Sequence, residues 1–126
     1  MLKKKHRIAI LFGVLLLLVT LWIFWHPYWW DDLFTNYVLD NRYHHVSCEQ
    51  LPSEQEIQQV LKLHDDVIHR IEAIAPSGIV GYEIVPCAPG HASLVFWYGS
   101  HQQRLMIEKI IGNDTFFGVP YSLENR

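Results

Sequence analysis

The sequence predicts an α+β protein: one apolar N-terminal helix, then a small domain with two helices on one face of an antiparallel sheet. Three observations predict it. Residues 8–25, IAILFGVLLLLVTLWIFW, contain no charged side chain. The segment 54–75 repeats apolar residues at three- and four-residue steps behind a capping sequence, the mark of an amphipathic helix. Beyond it, runs rich in β-branched and aromatic residues alternate with Pro/Gly turn chemistry.

The first seven residues, MLKKKHR, carry Lys3, Lys4, Lys5 and Arg7 and no acid. A helix over 8–25 is about 27 Å long at ~1.5 Å per residue, close to the thickness of a bilayer's hydrocarbon core. The run exceeds the ~7–15 apolar residues of a signal peptide and exits into LWIFWHPYWW, where a peptidase finds no small residue. A retained anchor is therefore expected, with Trp22, Trp25, Trp29 and Trp30 at the membrane–water interface. All 13 acids lie from Asp31 onward. The positive-inside rule then keeps the basic tail in the cytoplasm and sends the acidic remainder across the membrane, single-pass. An acidic exported part also argues against nucleic acid as a partner.

Residues 26–42 form a juxtamembrane segment. Trp29, Trp30, Leu33, Phe34, Tyr37 and Val38 recur at helical spacing, and Pro27 suits a first helical turn. Either an amphipathic helix at the interface or a continuation of the membrane helix satisfies this pattern. The remaining residues, 43–126, make one domain. RYHHVS (42–47) supplies a strand. Ser53 with Glu56 forms a capping box that opens a helix over 54–75, ended by Pro76-Ser77-Gly78. His64 falls on its apolar face, where a neutral imidazole bonded to backbone is expected. Residues 79–85 and 93–98 read as a hairpin joined through Pro86–His91. Ser100 with Gln103 and a following Gly112 favour a helix over 100–111, although its apolar run also fits a strand. Residues 115–119 read as a last strand, which Gly118 and Pro120 mark as an edge or end. Strand, helix, strand, strand, helix, strand is the ferredoxin-like order, with both helices on one face of a fully antiparallel sheet.

Such an order places the ends of the first two strands together, and with them Cys48 and Cys87. Outside the cytosol two such thiols are expected to bridge. The alternative is a zinc or copper site using Cys48, Cys87, His45 and His91, since thiolates and imidazoles are these metals' ligands, though no CxxC or HxxxH spacing supports it. No cofactor is expected. Ser93 near His91, and Ser100 beside His101, supply hydrolase residue types without a motif such as GxSxG, so catalysis is not expected. The aromatic residues Phe96, Trp97, Tyr98, Phe116, Phe117 and Tyr121 exceed what a small one-faced sheet needs. They are the expected contact surface for another envelope protein or peptide, the juxtamembrane helix or the membrane surface being the other cover for them.

Overall fold

The computed structural model describes residues 2–25 and 27–126; Met1 and His26 lie outside the described residues. The chain divides into two compact units, one ending at Phe34 and one running from Thr35 to Arg126.

The first unit holds α1 (Leu2–Trp25) and the start of α2 (Pro27–Tyr37). His6–Trp25 is long and apolar enough to cross a bilayer. Its one central polar side chain satisfies itself: the Thr20 hydroxyl lies 3.1 Å and 2.9 Å from the Leu16 and Leu17 carbonyls. Pro27 opens α2, where its missing N–H is no loss. The helix ends at Tyr37, inside the segment 26–42.

In the second unit, a 3₁₀ turn (Cys48–Gln50) precedes α3 (Glu54–Leu63) and α4 (Asp65–Glu72). The Ser53–Glu56 capping box forms in full, its carboxylate accepting from the Ser53 N–H at 2.7 Å. Those bonds hold the Glu56 pKa below the ordinary carboxylate value. The expected helix over 54–75 is two helices that break at His64, whose backbone leaves the helical region. The apolar series carries a polar ring at this position. The two aspartates that follow favour the first turn of a new helix, where peptide dipoles attract negative charge.

Four strands follow: β1 (Gly81–Ala88), β2 (His91–Tyr98), β3 (Thr115–Phe116) and β4 (Val119–Asn125), with α5 (His101–Ile111) between β2 and β3. Their order is β1-β2-β4-β3. β1 and β2 form the expected hairpin, turning at Pro89-Gly90 and bulged between Pro86 and Ala88. β2 and β4 pair in parallel, Val95 opposite Ser122. The sheet is thus mixed, not the fully antiparallel ferredoxin-like arrangement. The place that fold gives to a strand at 42–47 is taken by β4, and Arg42 makes a single antiparallel bridge with Leu123 on β4's outer side. The last strand is also displaced from 115–119. Phe117 (φ 49°) and Gly118 (φ 91°) form a tight turn, and the main strand runs on through Pro120. Two successive positive φ values define the turn type whose twist suits a two-residue hairpin.

Residues 101–111 form the helix that their caps favour. The Ser100 hydroxyl accepts from the Gln103 N–H, and Gly112 takes the left-handed C-terminal position at φ 72°. Gln103 closes back on the Gly99 N–H (2.8 Å) instead of completing a capping box.

The helices share one sheet face. Ile57 and Leu61 (α3), Val67, Ile68 and Ile71 (α4), and Ile107 and Ile111 (α5) pack with Leu94, Phe96 and Tyr98 of β2 and Tyr121 and Leu123 of β4. Burial of each large side chain contributes about 1.5–3 kcal/mol. The second face is partly covered by the segment after Arg42. The His44 N–H donates to Ser122 Oγ (3.4 Å), its ring meets Ser93 Oγ (2.7 Å), and Val95 and Ser122 are buried.

Candidate functional site

Cys48 and Cys87 are bonded to one another, 39 residues apart in sequence. Both sulfurs of the alternative metal set are therefore held in a disulfide. His91 is engaged too: its Nδ1 lies 2.6 Å from the Leu51 carbonyl, an acceptor only, so that nitrogen carries the proton. Among the described residues, no group of three or more His, Cys, Asp or Glu side chains is arranged to hold a metal ion.

Ser93 meets a histidine, but His44 rather than His91. The 2.7 Å contact has the reach of a serine–base pair. Burial lowers the His44 pKa, with the Val46 backbone partly offsetting the shift, so the ring is neutral near pH 7. Its Nδ1 is buried without a hydrogen-bond partner of adequate geometry, so no carboxylate orients the imidazole as a hydrolytic triad requires. The pair's evident effect is to fasten the segment after Arg42 to the sheet.

The aromatic residues separate into two groups. Phe96, Tyr98, Phe116 and Tyr121 are core residues and unavailable to a partner. Their rings pack on one another, Phe96 at 5.6 Å from both Phe116 and Tyr121. Trp97 and Phe117 remain at the surface, in different places. Trp97 stands on the face away from the helices, over Gly81 of β1, with the Arg126 guanidinium 5.3 Å from its ring. Glu83 and Glu124 pair with that guanidinium, the latter at 3.0 Å. Phe117 is half-exposed and stacks on the His64 ring, centroids 3.4 Å apart. His64 is therefore half-buried against an aromatic ring, not a core imidazole bonded to backbone. Trp22, Trp25, Trp29 and Trp30, the expected interface residues, are all exposed.

No protein-family model, curated protein or solved structure matches the chain. Its chemistry rests on its own geometry.

Two features lay outside the sequence-based site residues. The first is Arg104, buried on α5. Its guanidinium holds Asp40 Oδ1 (2.9 Å), Glu108 (3.2 Å) and Asn36 Oδ1 (3.1 Å), while His101 Nδ1 reaches the same Asp40 oxygen at 2.7 Å. Burial opposes the charge, but the bonds to Glu108 and Asp40 outweigh it and raise the Arg104 pKa. Tyr98 donates its hydroxyl to the Asp40 carbonyl, and burial pushes its pKa up to about 12. A signal was present: 104, 107 and 111 share one helix face, so the spacing put an arginine in line with two core isoleucines. The second feature is an open groove of about 430 Å³ between α3 and β1, lined by Gln58, Leu61, Lys62, Asp65, Tyr82 and Ile84. Leu61, Tyr82 and Ile84 make an apolar floor, and the polar and charged side chains make a rim.

Proposed function

We propose that the chain is a single-pass membrane protein whose α+β domain lies outside the cytoplasm and binds another envelope protein or peptide, without catalysis of its own. The observation that carries this reading is the combination of an exposed apolar helix of bilayer length with a disulfide-braced domain after it. At ~1.5 Å per residue, His6–Trp25 is about 30 Å long. A disulfide persists where the compartment is oxidising, which is the side to which the positive-inside rule assigns the acidic part of the chain. The titratable side chains of the domain support binding over chemistry. His44, His91, His101 and Arg104 each fasten one chain segment to another.

The test uses the full chain in cells, with alkaline phosphatase fused after Arg126 and a photo-crosslinking amino acid at Trp97, Phe117 or Lys62. Phosphatase activity, with a discrete adduct to a different protein from at least one position, is the expected result. An inactive fusion refutes the address. An active fusion with no adduct from any position refutes the interaction.

A further inference from the structure

The geometry points to the outer edge of β1 as the place where a partner docks: we infer that an extended peptide adds there as a fifth strand, with alternate apolar side chains in the α3–β1 groove. This deepens the interaction reading and rests on it.

β1 is an outermost strand of the sheet, and the direction of its backbone groups follows from one neighbouring bond. The Ala92 N–H is given to the Pro52 carbonyl (3.1 Å), not to β1. Pro86, opposite Ala92, has no N–H to give. Pro86–Ala92 is thus a pair without mutual hydrogen bonds, and in an antiparallel ladder such pairs alternate with bonded ones. Gly81, Glu83 and Val85 therefore face β2 with their N–H and C=O groups, while Tyr82 and Ile84 turn theirs outward. Tyr98, of the same parity on β2, fits this assignment, since its carbonyl accepts from the Arg126 N–H on the side away from β1 (2.9 Å). Among the described residues, no backbone group elsewhere in the chain bonds to the outer side of β1.

Exposed edges are usually blunted by proline, bulges or a covering segment. Here that protection is uneven. β4's outer side is covered by β3 and the Arg42 bridge. On β1, Pro86 and the bulge guard only the end near the disulfide, leaving Tyr82–Ile84 open. The same two residues whose backbone points outward also line the groove with their side chains. One extended chain can therefore take main-chain bonds from Tyr82 and Ile84 and place alternate side chains against Leu61, Tyr82 and Ile84. This is the arrangement by which strand-addition sites combine backbone affinity with side-chain selectivity. A groove of about 430 Å³ suits two or three side chains. Pairing of two copies through so short an edge would fall well below the ~1,200 Å² of a stable interface. An extended peptide is the better fit.

The test pans a displayed library of linear peptides of about ten residues against the full-length chain in lipid nanodiscs. Enriched peptides are then examined by amide hydrogen exchange and against two variants. The expected consensus carries apolar residues two apart, and bound peptide slows exchange in the segment containing Tyr82 and Ile84 about tenfold. Ile84→Pro, which removes an outward N–H at a position where an edge strand accepts proline, should weaken binding at least about tenfold. Ile84→Thr keeps the backbone donor, should retain measurable binding, and controls for folding. Overturning results are protection mapped elsewhere, binding unchanged in Ile84→Pro, edge protection in a dimer without peptide, or no enriched peptide. Protection at Trp97 or Phe117 would remove this edge yet leave the interaction reading intact. That reading fails separately, through absent adducts in cells.

Discussion

Arg104→Met separates a charge held by its neighbours from the structure built around it. Arg104 and Asp40 keep only 10% and 15% of their side-chain surface exposed, and their bond is 2.9 Å long. Methionine matches the stem of arginine and fills most of its volume, so the principal loss is charge. Asp40 would keep His101 on Oδ1, while Oδ2 is already buried without a partner. Breaking one side of a buried ion pair costs about 3–5 kcal/mol. The residual exposure and the His101 contact place this case at the lower end, about 3 kcal/mol. For a domain of this size each kcal/mol moves the midpoint by about 4–8 °C, so a fall of roughly 12–24 °C is expected. The assay is thermal unfolding of the full chain in detergent, followed by near-ultraviolet circular dichroism of its tryptophans and tyrosines. Asp40→Asn alone should cost less. The double variant should be more stable than the sum of the single losses implies, with a coupling of about 1–3 kcal/mol. Arg104→Met within ~0.5 kcal/mol of the parent, or strictly additive losses, would refute the account, because an arginine that merely fills space predicts both.

Three further outcomes follow from other parts of the domain. Replacing Cys48 and Cys87 by alanine opens a 39-residue separation, which in the loop-entropy description removes about 4 kcal/mol and is read by urea midpoints; a loss below ~1 kcal/mol would count against it. The lowered His44 pKa means stability that is present above the ordinary value of 6.5 and is lost as pH falls through the folded-state value. His44→Gln should therefore flatten the urea midpoint between about pH 8 and pH 5, and an unchanged acid slope would contradict the burial argument. At the alkaline end, Tyr98 titrates near pH 12 instead of its ordinary 10.0. Its contribution is fully present below pH 10.0 and lost as pH rises toward 12, so Tyr98→Phe should delay alkaline unfolding, and phenolate absorbance should rise together with loss of structure.

What was legible in the chain was whatever local chemistry decides. Ser53 with Glu56, Ser100 with Gly112, and the period-two rows of β2 concern neighbours in sequence, and each formed its element. The misreadings sit where tertiary contacts choose between local options. His64 keeps the helical spacing of its neighbours, yet the helix breaks there and its ring stacks on Phe117, which is more than fifty residues distant. Val119, Tyr121 and Leu123 alternate as a core strand should, but Gly118 and Pro120 read as an end. Strand order was beyond local reading altogether. Whether 42–47 or 119–125 lies beside β2 depends on which buries more apolar surface, and RYHHVS offers Val46 and an exposed Tyr43 against the buried Val119, Tyr121 and Leu123. The candidate surface shrank for the same reason, since residue type does not say which face of a strand the helices cover.

The disulfide sits at one end of β1, in the strand's bulged half. An edge strand ordinarily peels from either end. In this one the end at Ala88 is closed to β2 by the Pro89-Gly90 turn and tied through Cys87 to Cys48, so separation from β2 begins at Gly81 and travels toward that end. Fraying then has a direction, and Tyr82–Ile84 lies between its open end and its fixed end. A reductant that cut the stitch would leave every backbone bond of the strand and its turn in place while freeing the segment at Cys48 from the strand's fixed end.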